Sequence, residues 1–369
     1  MQPPQQPLRH LYFADLLNVF ACIAVVLLHT SLSVFSPRHT LGWLENVGIQ
    51  ATFIFAVPIF FMLSGMNLLG YRAKYSTAVF FKKRFVRTGR ALILGSITSY
   101  LIIGALRGTR YTEHFGLVDF VKRFLTNQVV DIYWFFYVIL YLYLLTPLLS
   151  HVAHQRRLLE YLIVLTGIAS VGVPFLVHMN IPNKYFAQLI GWPFFASIAL
   201  LYFLLGWYAK QYAAHLAQHR WRWLAAFLAA VAGMLIGELL DNGWFSGGQM
   251  PRQYDNYWAG ISSPLCVLAV LSLFMLCLGC EPQLRTAPHR LHQVLAKLSS
   301  ASLGIYLFHI LLVNFHGSGT PLKPVLEQLS RFPITKGIIA YVLTGIAVVI
   351  GKEIIAHSKR LVNRHREQR

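Results

Sequence analysis

Negative charge is what this chain has least of: 13 Asp and Glu stand against 32 Lys and Arg in 369 residues, and charged side chains make up only 12% of it. A soluble domain normally carries roughly twice that share, so a chain this long cannot cover itself with a hydrated surface. Cysteine is scarce too. Cys22, Cys266, Cys277 and Cys280 all fall within or at the end of apolar runs, which argues against the disulfide framework of a small secreted domain. Cys277-x-x-Cys280 has no second ligand pair, so no metal site is expected. The chain lacks a nucleotide-binding glycine fingerprint, a metalloprotease motif, an internal repeat and a low-complexity tract. No small-residue cleavage site follows the polar start at 1–11, so the first apolar segment is expected to be retained. A membrane enzyme or a transporter remains.

What the chain has in quantity is apolar sequence: 56% hydrophobic residues and a mean hydropathy of +0.54. That indicates a polytopic membrane protein, and without the alternation of a barrel its spans must be helices. The expected fold is all-α, a bundle of about ten transmembrane helices near 12–33, 48–70, 91–106, 133–149, 158–177, 191–209, 223–240, 258–280, 298–315 and 333–351. The expectation is one domain over 1–369 with no appended soluble domain. A net charge of +19 would suggest nucleic acid in a soluble protein, but here the basic residues sit in short segments between apolar runs. Topology accounts for the charge, and no nucleic acid partner is expected. Most Lys and Arg fall on the side of the termini, which places both termini in the cytoplasm.

The first span sets polar groups into apolar sequence. At 100° per residue Asp15, Asn18, Cys22 and His29 share a face, and Asn18 and His29 lie about 16 Å apart along the axis. An ionisable group in such a helix faces a protein interior or a wet cavity. It is either an interior histidine bonded to a neighbouring helix or a functional one. In span nine Ser299, Ser302, Tyr306, His309 and His316 make a second stripe. The two stripes are expected to face each other across a hydrated tunnel that traverses the bundle.

Between them lie further candidates. Pro58 can kink span two, and Ser64-Gly65 permits close backbone approach and frees a hydroxyl, with Asn67 one turn on. The basic segment 80–90 is either a topology anchor on anionic lipid or a set of guanidinium forks for phosphates, Arg84 and Arg87 among them. Trp134, Tyr137 and Tyr141 share a face, as an aromatic belt or a surface for a sugar ring. Ser263-Pro264 breaks or starts span eight. Glu238 and Asp241 at the outer end of span seven read as solvated boundary acids, with an acid and base pair as the sharper alternative. Gly243-Trp244 and Gly247-Gly248 mark a flexible loop. The basic tail after Gly351 reads as a surface-bound or disordered end.

Taken together, Asp15 to His29, Pro58 to Asn67, Arg84 to Arg87, Trp134 to Pro147 and Leu298 to His309 resemble the motifs of the acyltransferase-3 family of integral membrane acyltransferases. Asn18 stands where the family has Arg or Lys ahead of its histidine, a departure that removes a positive charge. Ile139-Leu140 stands where members with an esterase-like domain often have Glu-Glu. That makes the chain similar to the stand-alone branch, that of the enterobacterial-common-antigen O-acetyltransferase.

The resemblance implies transfer of an acyl group, most often acetyl, from cytoplasmic acyl-CoA to a hydroxyl of an extracytoplasmic glycan or lipid-linked saccharide. It implies a multi-pass protein of the bacterial inner (plasma) membrane, with acetyl-CoA as substrate and no permanently bound cofactor. His29 would act as general base or transient acyl carrier, with Tyr306 or His309 polarising the thioester carbonyl. Asp15 and Asn18 would sit at the inner mouth. Ser64, Asn67, Arg84 and Arg87 would bind acyl-CoA, and Trp134 and Tyr137, near His29, the acceptor. The rival reading is a transporter or flippase of a saccharide or acyl group.

Overall fold

A computed structural model of the chain describes residues 10–107, 115–179, 197–246, 250–313 and 332–367. His316 and Gly247-Gly248 lie outside these residues. The described chain is helical and contains no strand. Among the described residues eight helices are long and apolar enough to cross a membrane, and every one of the expected spans carries a helix.

In chain order these are α1 (Tyr12–Thr30), α2 (Leu41–Phe53), α3 (Ala56–Leu68), α4 (Thr77–Phe80), α5 (Val86–Arg107), α6 (Leu117–Leu125), α7 (Trp134–Ala153), α8 (Arg156–Gly167) and α9 (Val173–His178). Next come α10 (Ile198–Gln211), α11 (Arg220–Asp241), α12 (Pro264–Gly279), α13 (Glu281–Arg285), α14 (His289–Val313) and α15 (Pro333–Glu367).

Contacts at the two ends show the passes alternating. At the end that carries Lys82, Lys83 and Arg84, here the basic end, the Phe13 N–H donates to Glu281 Oε2 at 2.8 Å. That bond tops the start of α1, which has no side-chain cap of its own. There too, Arg72 donates to Ser150 Oγ and Pro147 O at the end of α7, and Trp207 Nε1 to Ala153 O. At the opposite end Gln50 Nε2 donates to Leu28 O and Ser31 Oγ, and Thr30 Oγ1 to Pro333 O. Lys352, past the middle of α15, returns to Ser300 O, midway along α14 and next to Ser299 at the basic end. The first and last helices therefore begin and end on the same side.

Several span boundaries move. Span one stops at Thr30, and span two starts at Leu41 under the Thr40 cap on the Trp43 N–H. Span two breaks at Ile54-Phe55, one turn before Pro58, because the proline nitrogen cannot donate to the Ile54 carbonyl. Span three begins at Thr77 and takes a π-helical turn over Phe81–Phe85. Span four runs past Thr146-Pro147 to Ala153, and the Pro147 carbonyl accepts from both Ser150 Oγ and Arg72. Pro264 starts its helix, with Ser263 capping the Leu265 N–H. Span nine begins at His289, and the tail expected after Gly351 is a continuation of α15 to Glu367.

Two glycines bring α3 and α10 backbone to backbone. A Cβ at Gly65 would stand 1.7 Å from Phe203 O, and one at Gly206 2.0 Å from Met62 O. Ser64 is thereby held on the face of α3 opposite the contact. Glu238, expected in solvent, is fully buried, because the segment before α12 folds over it and the Ala259 N–H donates to its Oε1 at 2.6 Å. Asp241 stays at the surface, accepting from His178 Nε2 and Trp258 Nε1.

Candidate active site

The polar stripes of α1 and α14 face one another, as the sequence leads one to expect. Ser299 Oγ donates to Asp15 Oδ1 at 2.7 Å, and Asn18 Nδ2 donates to Ser299 Oγ at 2.9 Å and to its carbonyl at 3.0 Å. One step deeper Cys22 Sγ donates to Ser302 O at 3.6 Å. At the far end His309 Nε2 lies 3.3 Å from His29 Nδ1. In an apolar interior an unpaired polar group costs several kcal/mol, so these pairs fix which faces of the two helices meet.

A cavity of about 330 Å³ opens along the first half of this seam, at the basic end. Asp15, Asn18, Ser64, Asn67 and Arg84 line it, with Tyr143, Ser299, Ser302 and Tyr306. Arg84 comes from the π-helical turn, whose extra residue re-aims side chains relative to a regular helix. Its neighbour Lys83 is turned instead over the Tyr75 ring, 5.0 Å from the centroid. Arg87, one turn further on, is not part of the lining.

The cavity does not reach the histidine pair, since neither His29 nor His309 lines it. Tyr306 closes the cavity: its hydroxyl donates to Ile132 O at 2.8 Å, and Phe60, Phe135 and Phe136 pack about it at 6.1, 5.3 and 5.5 Å between ring centroids. The histidine pair lies beyond this plug, with the His309 ring 6.0 Å from that of Tyr306 and 5.1 Å from that of His29. His29 is partly exposed and His309 fully buried. A bulky aromatic at a helical interior position gives no sequence signal of being a plug, since core packing needs the same residue.

Hydrogen bonding assigns the tautomers. His309 Nδ1 lies 3.0 Å from Ile305 O and 2.9 Å from Tyr306 O, so it carries the proton and leaves Nε2 as an acceptor. His29 Nδ1, 2.7 Å from Val25 O, is then the donor toward both that carbonyl and His309. Nε2 of His29 is left with its lone pair free, and no described residue bonds to it. His309 thus has both ring nitrogens engaged, and it does not line the cavity.

The aromatic pair of α7 is placed differently from expectation. The Tyr137 hydroxyl donates to Phe124 O of α6, and the Trp134 ring stands 6.4 Å from that of Phe61. What α7 brings toward the histidines is its preceding turn: Ile132 O accepts from the Tyr306 hydroxyl, and the Tyr133 hydroxyl donates to Leu307 O at 2.8 Å.

These features define a helical membrane bundle with a polar, basic-mouthed cavity ending beside a histidine pair. The chain belongs to the Acyl_transf_3 family, whose model, an acyltransferase domain, matches residues 11–356. It is therefore a membrane acyltransferase. No curated protein matches the chain, and neither does any solved structure.

Proposed function

We propose that the protein moves an acyl group, acetyl in the simplest case, from acyl-CoA entering at the basic end to a hydroxyl acceptor arriving from the His29 side. The observation that carries this is the pairing of a cavity mouth at Arg84 with a histidine whose Nε2 is unprotonated and partner-free just beyond the cavity's end. A cavity of about 330 Å³ suits a pantetheine arm and a short acyl group, at the small end of ligand sites. The bulky, highly charged nucleotide stays outside, its phosphates on the Arg84 guanidinium. The basic end is then cytoplasmic, in keeping with the positive-inside pattern, and the membrane that of a bacterial cell.

In the reaction His29 Nε2 takes the proton of the acceptor hydroxyl as its oxygen attacks the thioester carbonyl. The carbon–sulfur bond breaks, the acyl group leaves on the acceptor oxygen, and the proton passes to the CoA thiolate. Val25 O and His309 Nε2 together hold the imidazole in the required tautomer. Attack by Nε2 itself, giving an acyl-imidazole that the acceptor then resolves, uses the same geometry. Either route requires the Tyr306 side chain to move off Ile132 so that the thioester can approach. Glycans and lipid-linked saccharides are the acceptor class, because they offer hydroxyls at the far face of the membrane.

A cavity that ends at a plug supports two-sided chemistry more than a saccharide path. Purified protein incubated with radiolabelled acetyl-CoA is expected to release CoA slowly without acceptor and to label envelope glycan when it is added. No CoA release and no labelled product from folded protein overturns the proposal. Mass spectrometry of envelope glycans with and without the protein identifies the acceptor.

A further inference from the structure

The cavity leaves Arg87 over, and the opposite side of the same helices supplies a place for it. There α5, α14 and α15 enclose a groove of about 600 Å³ that is apolar along nearly its whole wall, formed by Thr98, Gly304, Phe308, Thr344, Lys352 and Ile355 among others. Gly304 lets α15 close against α14, since a Cβ there would meet Val348 Cγ1 at 2.6 Å. From Thr344 to Ile355 the groove extends roughly 16 Å at 1.5 Å per helical residue. That is about half of a ~30 Å hydrocarbon layer, the depth of one leaflet.

The groove has charge at one end only. Lys352 lines it at the basic end, and both Lys352 and Arg87 are exposed. On α5, Arg87 falls within about 20° of Thr98, so it stands below the groove on the helix face that lines it. Two cations at the mouth of an apolar channel one leaflet deep complement an amphiphile with an anionic head and a long chain.

We propose that this groove is a binding site for an anionic phospholipid of the basic-end leaflet, its phosphate on Lys352 and Arg87 and one acyl chain along α15. The site borders the cavity. Lys352 now donates to Ser300 O, next to the cavity residue Ser299. A headgroup phosphate competes with the Ser300 carbonyl for the ammonium and so bears on the turn that holds Asp15 and Asn18. The proposal rests on membrane insertion alone and is independent of acyl transfer.

The test uses full-length protein in nanodiscs of equal parts phosphatidylglycerol and phosphatidylcholine, with retained lipid read by native mass spectrometry. Phosphatidylglycerol is expected to be retained about tenfold over phosphatidylcholine, an effect of the size that one or two basic residues exert at a membrane surface. Lys352→Gln with Arg87→Gln abolishes the preference. Ala347→Trp, which fills the groove, abolishes retention, whereas Leu94→Trp, on the exposed face outside it, keeps the unaltered pattern. Equal retention of the two lipids by the unaltered protein overturns the proposal. So does a preference that survives the charge substitutions, or a dimer in which a second copy covers the groove. The comparison of the two lipids on unaltered protein decides the matter whether or not every variant folds.

Discussion

His309 Nε2 stands 3.3 Å from His29 Nδ1, and the two residues are 280 positions apart in the chain. Each imidazole is anchored through Nδ1 to the carbonyl one helical turn back, Val25 O for His29 and Ile305 O for His309. The two helices therefore present a relay of fixed polarity, with one lone pair left over at its exposed end. In the proposed reaction the base function and the positioning function thereby fall to different rings.

That polarity predicts a non-additive pair. His29→Ala is expected to lower kcat by about 10² to 10⁴, the usual range for a general base. His309→Leu removes one of the two acceptors of His29 Nδ1 and leaves Val25 O, so it is expected to lower kcat less, with KM for acetyl-CoA little changed and the pH profile displaced. Adding His309→Leu to His29→Ala is expected to cost nothing further, because the second ring acts only through the first. Initial rates over a pH series check all three, with membrane insertion confirmed for each variant.

Ser299 joins the two helices where the cavity opens, bonding Asp15 and Asn18 at once. Ser299→Ala leaves both partly unsatisfied, at a cost of about 1–3 kcal/mol. The expected result is a lower melting temperature in detergent and a raised KM for acyl-CoA with kcat largely preserved.

Arg84 and Arg87 should separate. Arg84 lines the cavity and Arg87 does not. Arg84→Gln is expected to raise KM for acetyl-CoA about tenfold, the worth of one charge-assisted hydrogen bond, and to flatten its dependence on salt. Arg87→Gln is expected to change KM distinctly less. Acetyl-CoA titrations at two ionic strengths measure the difference.

Gly65 has no room for a side chain, since its Cβ would overlap Phe203 O at 1.7 Å. Neither backbone can yield without parting α3 from α10, so Gly65→Ala is expected to destabilise by about 3 kcal/mol or more. Thermal unfolding in detergent reads this directly. Ala at Gly48, where a Cβ meets nothing within 4 Å, is the matched control.

Much of this site was legible in advance because it obeys helical periodicity. Asp15, Asn18, Cys22 and His29 repeat at the spacing of one face, as do Ser299, Ser302, Tyr306 and His309, and apolar surroundings left those faces nowhere to turn but toward each other. Less legible were contacts made by irregular backbone. The π-helical turn that separates Arg84 from Arg87 carries no mark in composition, and neither does the folded-back segment that buries Glu238. Trp134 and Tyr137 stayed ambiguous because an aromatic at the end of a span serves a lipid interface, a core contact or a sugar equally well.

Hydropathy and charge are local sums along the chain, and from them follow the membrane, the helical bundle and the alternation of its passes. The two stripes follow from local spacing as well. Where the cavity stops is another kind of question, because Tyr306 becomes a plug only when Ile132, Phe60 and Phe135 arrive from helices distant in sequence. The division of labour between His29 and His309 has the same origin: a lone pair is left free or engaged by its neighbours in space, and packing alone chooses those neighbours.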